Sequence, residues 1–321
     1  MKLHMPQRVL RGRRPPRTAA PRLLAVPAAG AIVAAAAVFA APVAAQASAP
    51  ALVPIAVPCN SSTLVTAIRN ANGAGAATLL LAPGCDYVLG STAAAGDGLP
   101  PVTGRITIIG GHGTQISRSD DSPAAFRILD VAPGGALTLV GLTVANGELV
   151  GGDEQGAGVR DQGTLALRNV RLTGNSTLRG EGGGLSVGRG AHAVISGAEL
   201  DNNFGGDGGA IFSVGDLSVD RSVLARNTAS AGGAIFADIA ATSRISRTVV
   251  THNSASQGGG IVDFGVMALT VDRVTFNQAA VKGGGIISAG PQAAVTLRFT
   301  LVAFNTPDNC NPQGTIAGCR N

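Results

Sequence analysis

The sequence predicts an all-β protein in which the chain winds as a parallel β-helix, a solenoid with about 25 residues in each coil. Three observations support this prediction. A glycine-rich phrase that ends in an aliphatic residue occurs six times, a phrase of the form Leu-x-x-Asn or Val-x-x-Asn follows each copy, and apolar residues alternate with polar ones between the two phrases. Self-similarity at a fixed spacing is typical of solenoids, and an apolar period of two residues indicates strands.

The glycine-rich phrase sets the period of the repeat. It reads Gly-Gly-Ala-Ile at 208–211 and again at 232–235, and related forms occur on either side. Its aliphatic residue is found, in steps of 26, 26, 24, 26 and 25 residues, at Val159, Leu185, Ile211, Ile235, Ile261 and Ile286. We expect the glycines to form a tight corner with positive φ and the aliphatic residue to begin a strand that faces the core.

The second phrase predicts a ladder of side chains at another corner. Its asparagines are Asn175, Asn203, Asn227, Asn253, Asn277 and Asn305. Asparagine tolerates left-handed backbone geometry, and identical amide side chains stacked from one coil to the next form hydrogen bonds with each other. These six residues are therefore predicted to be structural.

Together, the two phrases resemble the repeat of bacterial polymorphic outer-membrane proteins, within the pectate-lyase-like superfamily of right-handed parallel β-helices. The resemblance covers roughly residues 130–309 and implies a right-handed coil. Leu or Val stands in the Asn phrase where that family usually has Phe. The family also carries a C-terminal membrane barrel, for which we find no counterpart in this sequence, and we therefore expect no membrane insertion.

The amino-terminal segment predicts a cleaved secretory signal peptide over residues 1–47. Seven basic residues and no acidic ones precede residue 30, a run rich in Ala, Val and Leu follows, and the Ala-Gln-Ala at 45–47 has the small-x-small form of a cleavage site. An uncleaved membrane anchor and twin-arginine export through the Arg-Arg pair at 13–14 are the alternatives. We expect a secreted protein, extracellular or attached to the cell surface.

Cleavage at this point also changes the charge balance. The whole chain has 24 basic and 19 acidic residues and a net charge of +5, but the seven basic residues of the leader are removed with it. The mature chain then has 17 basic and 19 acidic residues and a net charge of −2. A slightly acidic chain lacks the basic surface by which proteins bind nucleic acid, so we expect no nucleic-acid partner.

Both ends of the solenoid are expected to be capped, because a cap keeps the core and the strand edges away from solvent. Residues 48–90 are predicted to form an N-terminal cap, with a short amphipathic helix from Ser62 to Gly73 and the first strand. Residues 91–309 are predicted to form the coils, and residues 310–321 a C-terminal disulfide cap.

Four cysteines lie near the two ends of the mature chain, at Cys59, Cys85, Cys310 and Cys319. In an exported protein they indicate two disulfides, for which three pairings are possible. We favour the local pairs, Cys59–Cys85 and Cys310–Cys319, because each would close a terminal cap. A metal site is the rival interpretation, but no Cys-x-x-Cys motif or neighbouring His supports one.

Three acidic residues are candidates for chemistry. Glu181 and Asp207 each lie four residues before the aliphatic residue of their coil, and Glu154 lies near the equivalent place, one residue out of step. Stacked about 5 Å apart, their carboxylates would serve as a Ca²⁺ site or as an acid/base pair. The alternative is a solvated corner where acidic residues only favour solubility. We expect no other cofactor and no other metal ion.

Two further sets are candidates for ligand binding. Arg221, Arg247 and Arg273 recur at steps of 26 residues, although Arg273 is out of step when counted from the next ladder asparagine. They would grip uronate or sulfate groups of an acidic polysaccharide or form an exposed salt-bridged face. Phe212 and Phe236 follow the aliphatic residue of their coils and should point outward. There they are covered by the termini or form a contact surface for a protein or for sugar rings.

The evenness of the repeat favours a non-catalytic role. Catalytic β-helices usually interrupt the repeat with long loops that build a groove, whereas the steps here range only from 24 to 26 residues. We therefore expect an adhesin-like surface or matrix protein that binds glycans or other proteins. The alternative, implied by the resemblance to the pectate-lyase-like superfamily, is a polysaccharide lyase or glycoside hydrolase that acts on an acidic polysaccharide.

Overall fold

The computed structural model describes residues 53–151 and 154–321, and the predicted signal peptide over residues 1–47 lies outside them. The described chain is a β-solenoid of about 10 turns with about 26 residues in each turn. One helix covers its N-terminal end, and every other regular element of the described chain is a strand. The predicted fold class, a parallel β-helix with a short capping helix, is confirmed.

Within residues 53–151 and 154–321, four parallel sheets form the wall of the solenoid, and a complete turn contributes one strand to each in the order A, B, C and D. Sheet A has ten strands, Ile55–Val57, Ala76–Leu81, Arg105–Ile109, Ala136–Val140, Thr164–Arg168, His192–Ser196, Asp216–Asp220, Thr242–Ser246, Val266–Thr270 and Ala294–Arg298. Sheet B has nine strands, Asp86–Leu89, Gln115–Arg118, Thr143–Ala145, Arg171–Thr173, Glu199–Asp201, Val223–Ala225, Val249–Thr251, Arg273–Thr275 and Leu301–Ala303.

Sheets C and D begin later in the chain. Sheet C has six strands, Glu148–Leu149, Ser176–Thr177, Phe204–Asp207, Thr228–Ala231, Ser254–Gln257 and Gln278–Lys282. Sheet D has eight strands, Leu129–Val131, Val159–Asp161, Leu185–Val187, Ile211–Ser213, Ile235–Ala237, Ile261–Asp263, Ile286–Ser288 and Cys310–Asn311.

The alternation of apolar residues explains the core. In the sheet A strand Thr164–Arg168, Leu165 and Leu167 are fully buried, while the other three residues are exposed or half-buried. The next strand places Ala193 and Ile195 beside them in register, so that each apolar residue stacks on its counterpart in the neighbouring turn. The aliphatic residues of the glycine-rich phrase are fully buried and stack in the same way in sheet D, at Val159, Leu185, Ile211, Ile235, Ile261 and Ile286.

The glycine-rich phrase forms the corner between sheets C and D. Gly208 has a φ of +67°, and a Cβ atom on it would lie 2.2 Å from the carbonyl oxygen of Ile211. A Cβ atom on Gly209 would lie 2.4 Å from the carbonyl oxygen of Gly233 in the next turn. The first glycine is therefore required by the left-handed backbone, and the second by the close approach of two turns.

The predicted asparagines connect successive turns at the corner between sheets B and C. Nδ2 of Asn203 donates to Oδ1 of Asn227 at 3.0 Å, and the same oxygen accepts the backbone N–H of Asn203. Side-chain bonds of 2.9–3.1 Å repeat this pattern along Asn175, Asn203, Asn227, Asn253, Asn277 and Asn305. Asn309 lies outside the repeat pattern, accepts a hydrogen bond from Asn305, and ends the ladder. The buried amides thereby satisfy backbone groups at a tight corner.

The capping helix spans Ser61–Ala74 and is slightly longer than the sequence indicated. Its N-cap is Asn60, whose Oδ1 accepts the backbone N–H of Ser62 at 2.8 Å, so the helix begins before the predicted serine. Gly75, with a φ of +79°, ends the helix, in place of the expected stop at Gly73. Capping decides both boundaries. A helix begins at the residue whose side chain accepts its free N–H groups, and it stops at the residue that adopts the left-handed conformation.

The ends of the solenoid are closed by side chains and by disulfides. Leu64 and Ile68 of the helix are fully buried against the first turns. The disulfides are the local pairs Cys59–Cys85 and Cys310–Cys319, and the described residues include no free cysteine. Cys310 also belongs to the last strand of sheet D, so the segment expected to be only a cap extends the solenoid as well.

Candidate functional site

The predicted acidic residues lie at the end of sheet C, where the chain enters the glycine corner. Parallel bridges join Gln155 to Glu181 and Glu181 to Asp207, so these side chains occupy one register position in successive turns. Nε2 of Gln155 donates to Oε2 of Glu181 at 2.9 Å. The column continues toward the C-terminal end through Ala231, Gln257 and Lys282. Its charge therefore changes from acidic to basic along the solenoid.

Glu154 lies beside this column, and Gln155 takes the register position instead. The carboxylate of Glu154 accepts the backbone N–H groups of Gly151 and Arg179, the latter at 2.7 Å, so it ties the loop before it to the next turn. The candidate acidic group is therefore a stacked pair, Glu181 and Asp207. Among residues 53–151 and 154–321, no three or more His, Cys, Asp or Glu side chains are arranged to hold a metal ion.

Asp207 has an unusual electrostatic environment for a residue at a corner. Burial raises the pKa of its carboxyl group, and the negative charge of Asp238 raises it further. Asp207 precedes a strand of sheet D, whereas Asp238 directly follows the sheet D strand Ile235–Ala237 of the next turn. Asp207 and Asp238 therefore lie at the two margins of sheet D, and the charge of Asp238 acts on the carboxyl group of Asp207.

The outward side chains of sheet D form a recessed floor between these margins. Phe212, Phe236, Val262 and Ile287 stand in register on successive strands and lie outside the core cluster. Phe212, Val262 and Ile287 are nevertheless only 4%, 3% and 4% exposed. A Cβ atom on Gly258 would lie 2.2 Å from Cγ2 of Val262, which shows how closely the glycine corner packs against the floor. The low exposure of these three side chains does not fit the open contact surface of the sequence-based interpretation, and cover by the termini stays a prediction.

A pocket of about 190 Å³ opens over the C-terminal half of the floor. The rings of Phe236 and Phe264 bound it, with centroids 5.5 Å apart. Gln257 and Lys282 lie at its other margin. We call the whole feature the sheet D groove, and define it by Glu181, Asp207, Phe212, Phe236, Asp238, Gln257, Val262, Phe264, Lys282 and Ile287.

The predicted arginines do not form a single ladder. Arg221 and Arg247 occupy the corner between sheets A and B with φ values of +47° and +50°. Both pair with Asp220, Nη1 of Arg221 at 2.8 Å from its Oδ2 and Nη2 of Arg247 in contact with its Oδ1. The hydroxyl group of Ser246 and these two cations hold the pKa of Asp220 below its usual range. Arg221 and Arg247 thus form a salt-bridged face, the second of the two sequence-based interpretations.

Arg273 lies elsewhere, because it is two residues beyond that corner. It begins a sheet B strand and stands in register with Val249 and Leu301. Arg298 ends the last strand of sheet A, and both arginines are exposed. Neither forms an ion pair within the part of the chain that the structure describes, so both guanidinium groups are open to a ligand.

The corner between sheets B and C carries a row of exposed rings that was not predicted from the sequence. His252, Phe276 and Phe304 stack with centroids 5.5 and 5.3 Å apart, and the two phenylalanines are 50% and 69% exposed. Their backbone is left-handed, with φ values of +55° to +60°. Earlier turns have Gly174 and Asn202 at this position. The residue before each ladder asparagine carried the signal, since it changes from Gly and Asn, through Arg226, to aromatic residues along the chain.

The corner between sheets A and B changes in the same way. The first turns have Asn169 and Gly197 there and the next two have Arg221 and Arg247, whereas the last have Val271 and Phe299, with φ values of +63° and +52°. Val271 and Phe299 are 53% and 93% exposed, and Leu301 between the two corners is 47% exposed. We call this surface the C-terminal apolar face, and define it by Val271, Phe276, Phe299, Leu301 and Phe304. Bulky residues in left-handed geometry are strained, so this face has an energetic cost.

Comparison of the chain with protein-family models, with curated proteins and with solved structures found no match. No helix within the described residues is long and apolar enough to cross a membrane.

Proposed function

We propose that this protein is an exported, non-catalytic solenoid that binds an acidic polysaccharide through its C-terminal apolar face. One observation carries the proposal. Val271, Phe276, Phe299 and Phe304 are exposed and have left-handed backbone at two corners where the first turns have Gly or Asn and the intervening turns have Arg or His. Strain of this kind persists where the side chain serves a purpose other than folding, and an exposed apolar patch is typical of an interaction site.

The chemistry around this face suits an anionic sugar polymer. Exposed aromatic and aliphatic side chains pack against the C–H-rich faces of sugar rings, and a guanidinium group pairs with carboxylate or sulfate. Arg273 lies within the face and Arg298 at its edge, directly before Phe299. Phe299 and Phe304 lie at the two corners that flank the strand Leu301–Ala303, at most about 16 Å apart along the chain, so that the face between them is wide enough for more than one sugar ring.

Export is part of the same proposal. The two disulfides indicate an oxidising, extracellular-type environment, and secretion through a cleaved signal peptide accounts for them. A surface or matrix role resembling that of polymorphic outer-membrane proteins is consistent with an even solenoid.

Affinity electrophoresis in gels that contain polygalacturonate, alginate or neutral dextran tests the proposal. We expect the two acidic polymers, and not dextran, to retard the wild-type protein, and 0.5 M NaCl to weaken the retardation. The variants Phe299→Asn and Arg273→Gln should each reduce retardation about fivefold or more. The controls are Leu178→Asn, an exposed apolar residue outside this face, and Arg168→Gln, an exposed arginine that holds the register position of Arg298 in an early turn.

Equal retardation of the wild type and of Phe299→Asn in all three gels would overturn the proposal. Phe299→Asn should not weaken the fold, because Asn169 holds the same register position. A loss of binding in this variant is therefore not explained by unfolding, and its denaturation midpoint verifies this.

Cleavage of an acidic polysaccharide is the second candidate function. It is favoured by Asp207, whose pKa is raised by burial and by Asp238, and by the adjacent carboxylate of Glu181. Paired carboxyl groups with perturbed pKa values are typical of acid/base catalysis. Reducing-end and unsaturated-product assays on pectin, alginate and chondroitin-type polymers test it. Activity that Asp207→Asn and Glu181→Gln abolish would establish an enzyme and refute the non-catalytic role.

A further inference from the structure

The sheet D groove carries opposite charges at its two ends. Asp207 and Asp238 form the acidic end, and Lys282 forms the basic end beside the pocket. Three register steps, through Ala231 and Gln257, separate Asp207 from Lys282 on one margin. Since adjacent parallel strands lie about 4.8 Å apart, the two charges are about 14 Å apart.

Both charges are available to a ligand. Within the described residues, neither the carboxylate of Asp207 nor the ammonium group of Lys282 has an ion-pair partner or a side-chain hydrogen bond. The carboxylate of Asp238 accepts one backbone N–H, from Ile239 at 2.8 Å, which leaves it further capacity as an acceptor. The groove therefore has carboxylates that can bind a cation at one end and an ammonium group that can bind an anion at the other.

The middle of the groove is apolar and concave. Phe236, Val262 and Ile287 form its floor, and Phe264 forms one wall. Its pocket of about 190 Å³ is somewhat larger than a cavity of about 150 Å³ that holds a benzene ring. One aliphatic or aromatic side chain therefore fits between the two charged ends.

We propose that the sheet D groove binds an extended peptide segment in which a basic and an acidic residue lie four positions apart with an apolar residue midway between them. In an extended chain, residues i, i+2 and i+4 point to the same side and span about 13 Å, which matches the groove. An acidic polysaccharide carries no cation for the Asp207 end and would be repelled there. This site is distinct from the polysaccharide-binding face, and neither proposal requires the other.

A set of four capped pentapeptides serves as the probe. Lys-Thr-Leu-Thr-Glu carries the proposed pattern, Lys-Glu-Thr-Leu-Thr has the same composition with adjacent charges, and Lys-Thr-Leu-Thr-Lys and Glu-Thr-Leu-Thr-Glu each lack one sign of charge. Binding is followed by NMR chemical-shift titration of isotope-labelled protein at low salt. We expect the first peptide to bind at least fivefold more tightly than the other three.

Charge-reversal variants give the sharper test. Asp207→Lys and Lys282→Asp should each weaken binding of the first peptide about fivefold. The double variant Asp207→Lys/Lys282→Asp should recover it, because the peptide can lie in the groove in the opposite direction. Arg273→Gln, on the other face, should leave peptide binding unchanged. Thermal denaturation of each variant verifies that the solenoid is intact.

Three outcomes would overturn the proposal. Equal affinity for all four peptides would show that the charge pattern does not determine binding. Failure of the double variant to recover binding would show that the two ends of the groove do not act as complementary charges. If oligogalacturonate shifted the groove resonances and no peptide did, the groove would be a glycan site. Loss of polysaccharide binding in Arg273→Gln with peptide binding intact would support both assignments separately.

Discussion

Oδ1 of Asn253 accepts two hydrogen bonds from Asn227, one from the side-chain Nδ2 and one from the backbone N–H, both at 2.9 Å. Nδ2 of Asn227 also donates to the carbonyl oxygens of Leu200 and Ala225, at 2.9 and 3.1 Å. One buried side chain therefore connects three successive turns and satisfies backbone acceptors in two of them.

Removal of this side chain should destabilise the solenoid strongly. Asn227→Ala leaves buried backbone groups unpaired, at about 1–3 kcal/mol for each group, so we expect the free energy of unfolding to fall by about 3 kcal/mol. Urea denaturation measures the change. Asn70→Ala, on the exposed face of the helix, is the control and should change stability by less than about 0.5 kcal/mol. A similar effect of the two substitutions would contradict a structural role for the ladder.

Relief of strain at a corner should stabilise the protein. Val271 is β-branched and has a φ of +63°, a conformation that is unfavourable by about 1–2 kcal/mol for most L-residues and less so for asparagine. Val271→Asn should therefore raise the free energy of unfolding by about 1 kcal/mol. Val223→Asn is the matched control, because Val223 is exposed in a strand and gains nothing from the exchange. A loss of stability in Val271→Asn would show that this corner is not strained.

Three buried carboxyl groups should make the solenoid more stable in mild acid than at neutral pH. Burial raises the pKa of Asp161, Asp263 and Asp272 to about 6. One carboxylate oxygen of each has no hydrogen-bond partner, so the ionised form is poorly stabilised. Because the folded state binds these protons more tightly than the unfolded state, the free energy of unfolding should fall as the pH rises from about 4 to about 6.

Replacement of one of these groups tests the sign of this effect. Asp263→Ser should raise stability at pH 7 by about 2 kcal/mol, and the gain should disappear near pH 4. Serine suits the position because Ser213 and Ser288 occupy the same inward column. The exposed Asp121→Ser serves as the control in denaturation curves at both pH values. A gain in Asp263→Ser that is independent of pH would contradict the titration of this carboxyl group.

The two disulfides should differ in their effect on stability. Cys59 and Cys85 are 26 residues apart, and Cys310 and Cys319 are nine apart. On the loop-entropy model, double serine variants should lose about 3.5 and about 2.6 kcal/mol, respectively. Guanidinium denaturation of the two variants measures the difference. A larger loss from the C-terminal pair would indicate that it acts through the native cap and not through the unfolded chain.

Residue types that repeat were predictable, and residue types that vary were not. The ladder position has asparagine in each copy of the repeat and the inward position has an aliphatic residue in each copy, so the sequence alone located both. A second ladder was missed because its members differ in type. Ser222 donates its backbone N–H to Oγ1 of Thr248 at 3.3 Å, and Thr248 donates its own to Oδ1 of Asp272 at 2.7 Å. The side-chain oxygens of serine, threonine and aspartate all accept this backbone hydrogen bond. A search for one repeated residue type does not find a ladder made of three types.

Positions one or two residues away from a repeat were assigned less well. Arg273 follows the spacing of Arg221 and Arg247 but belongs to a strand and not to their corner. Glu154 is next to the acidic column and bonds to backbone N–H groups instead. Coil lengths that vary by one or two residues shift the register locally, and only the strand pairing shows where the extra residue is placed.

The sequence by itself determined the solenoid, its period, the asparagine corner and the glycine corner, because these depend on local geometry that every turn repeats. Only the tertiary structure decided which surfaces a ligand can reach. Phe212 points outward and is only 4% exposed, whereas Phe299 is 93% exposed. The physical reason is that accessibility depends on how closely neighbouring turns and corners approach, and that distance is set by side chains about 25 residues apart in the chain.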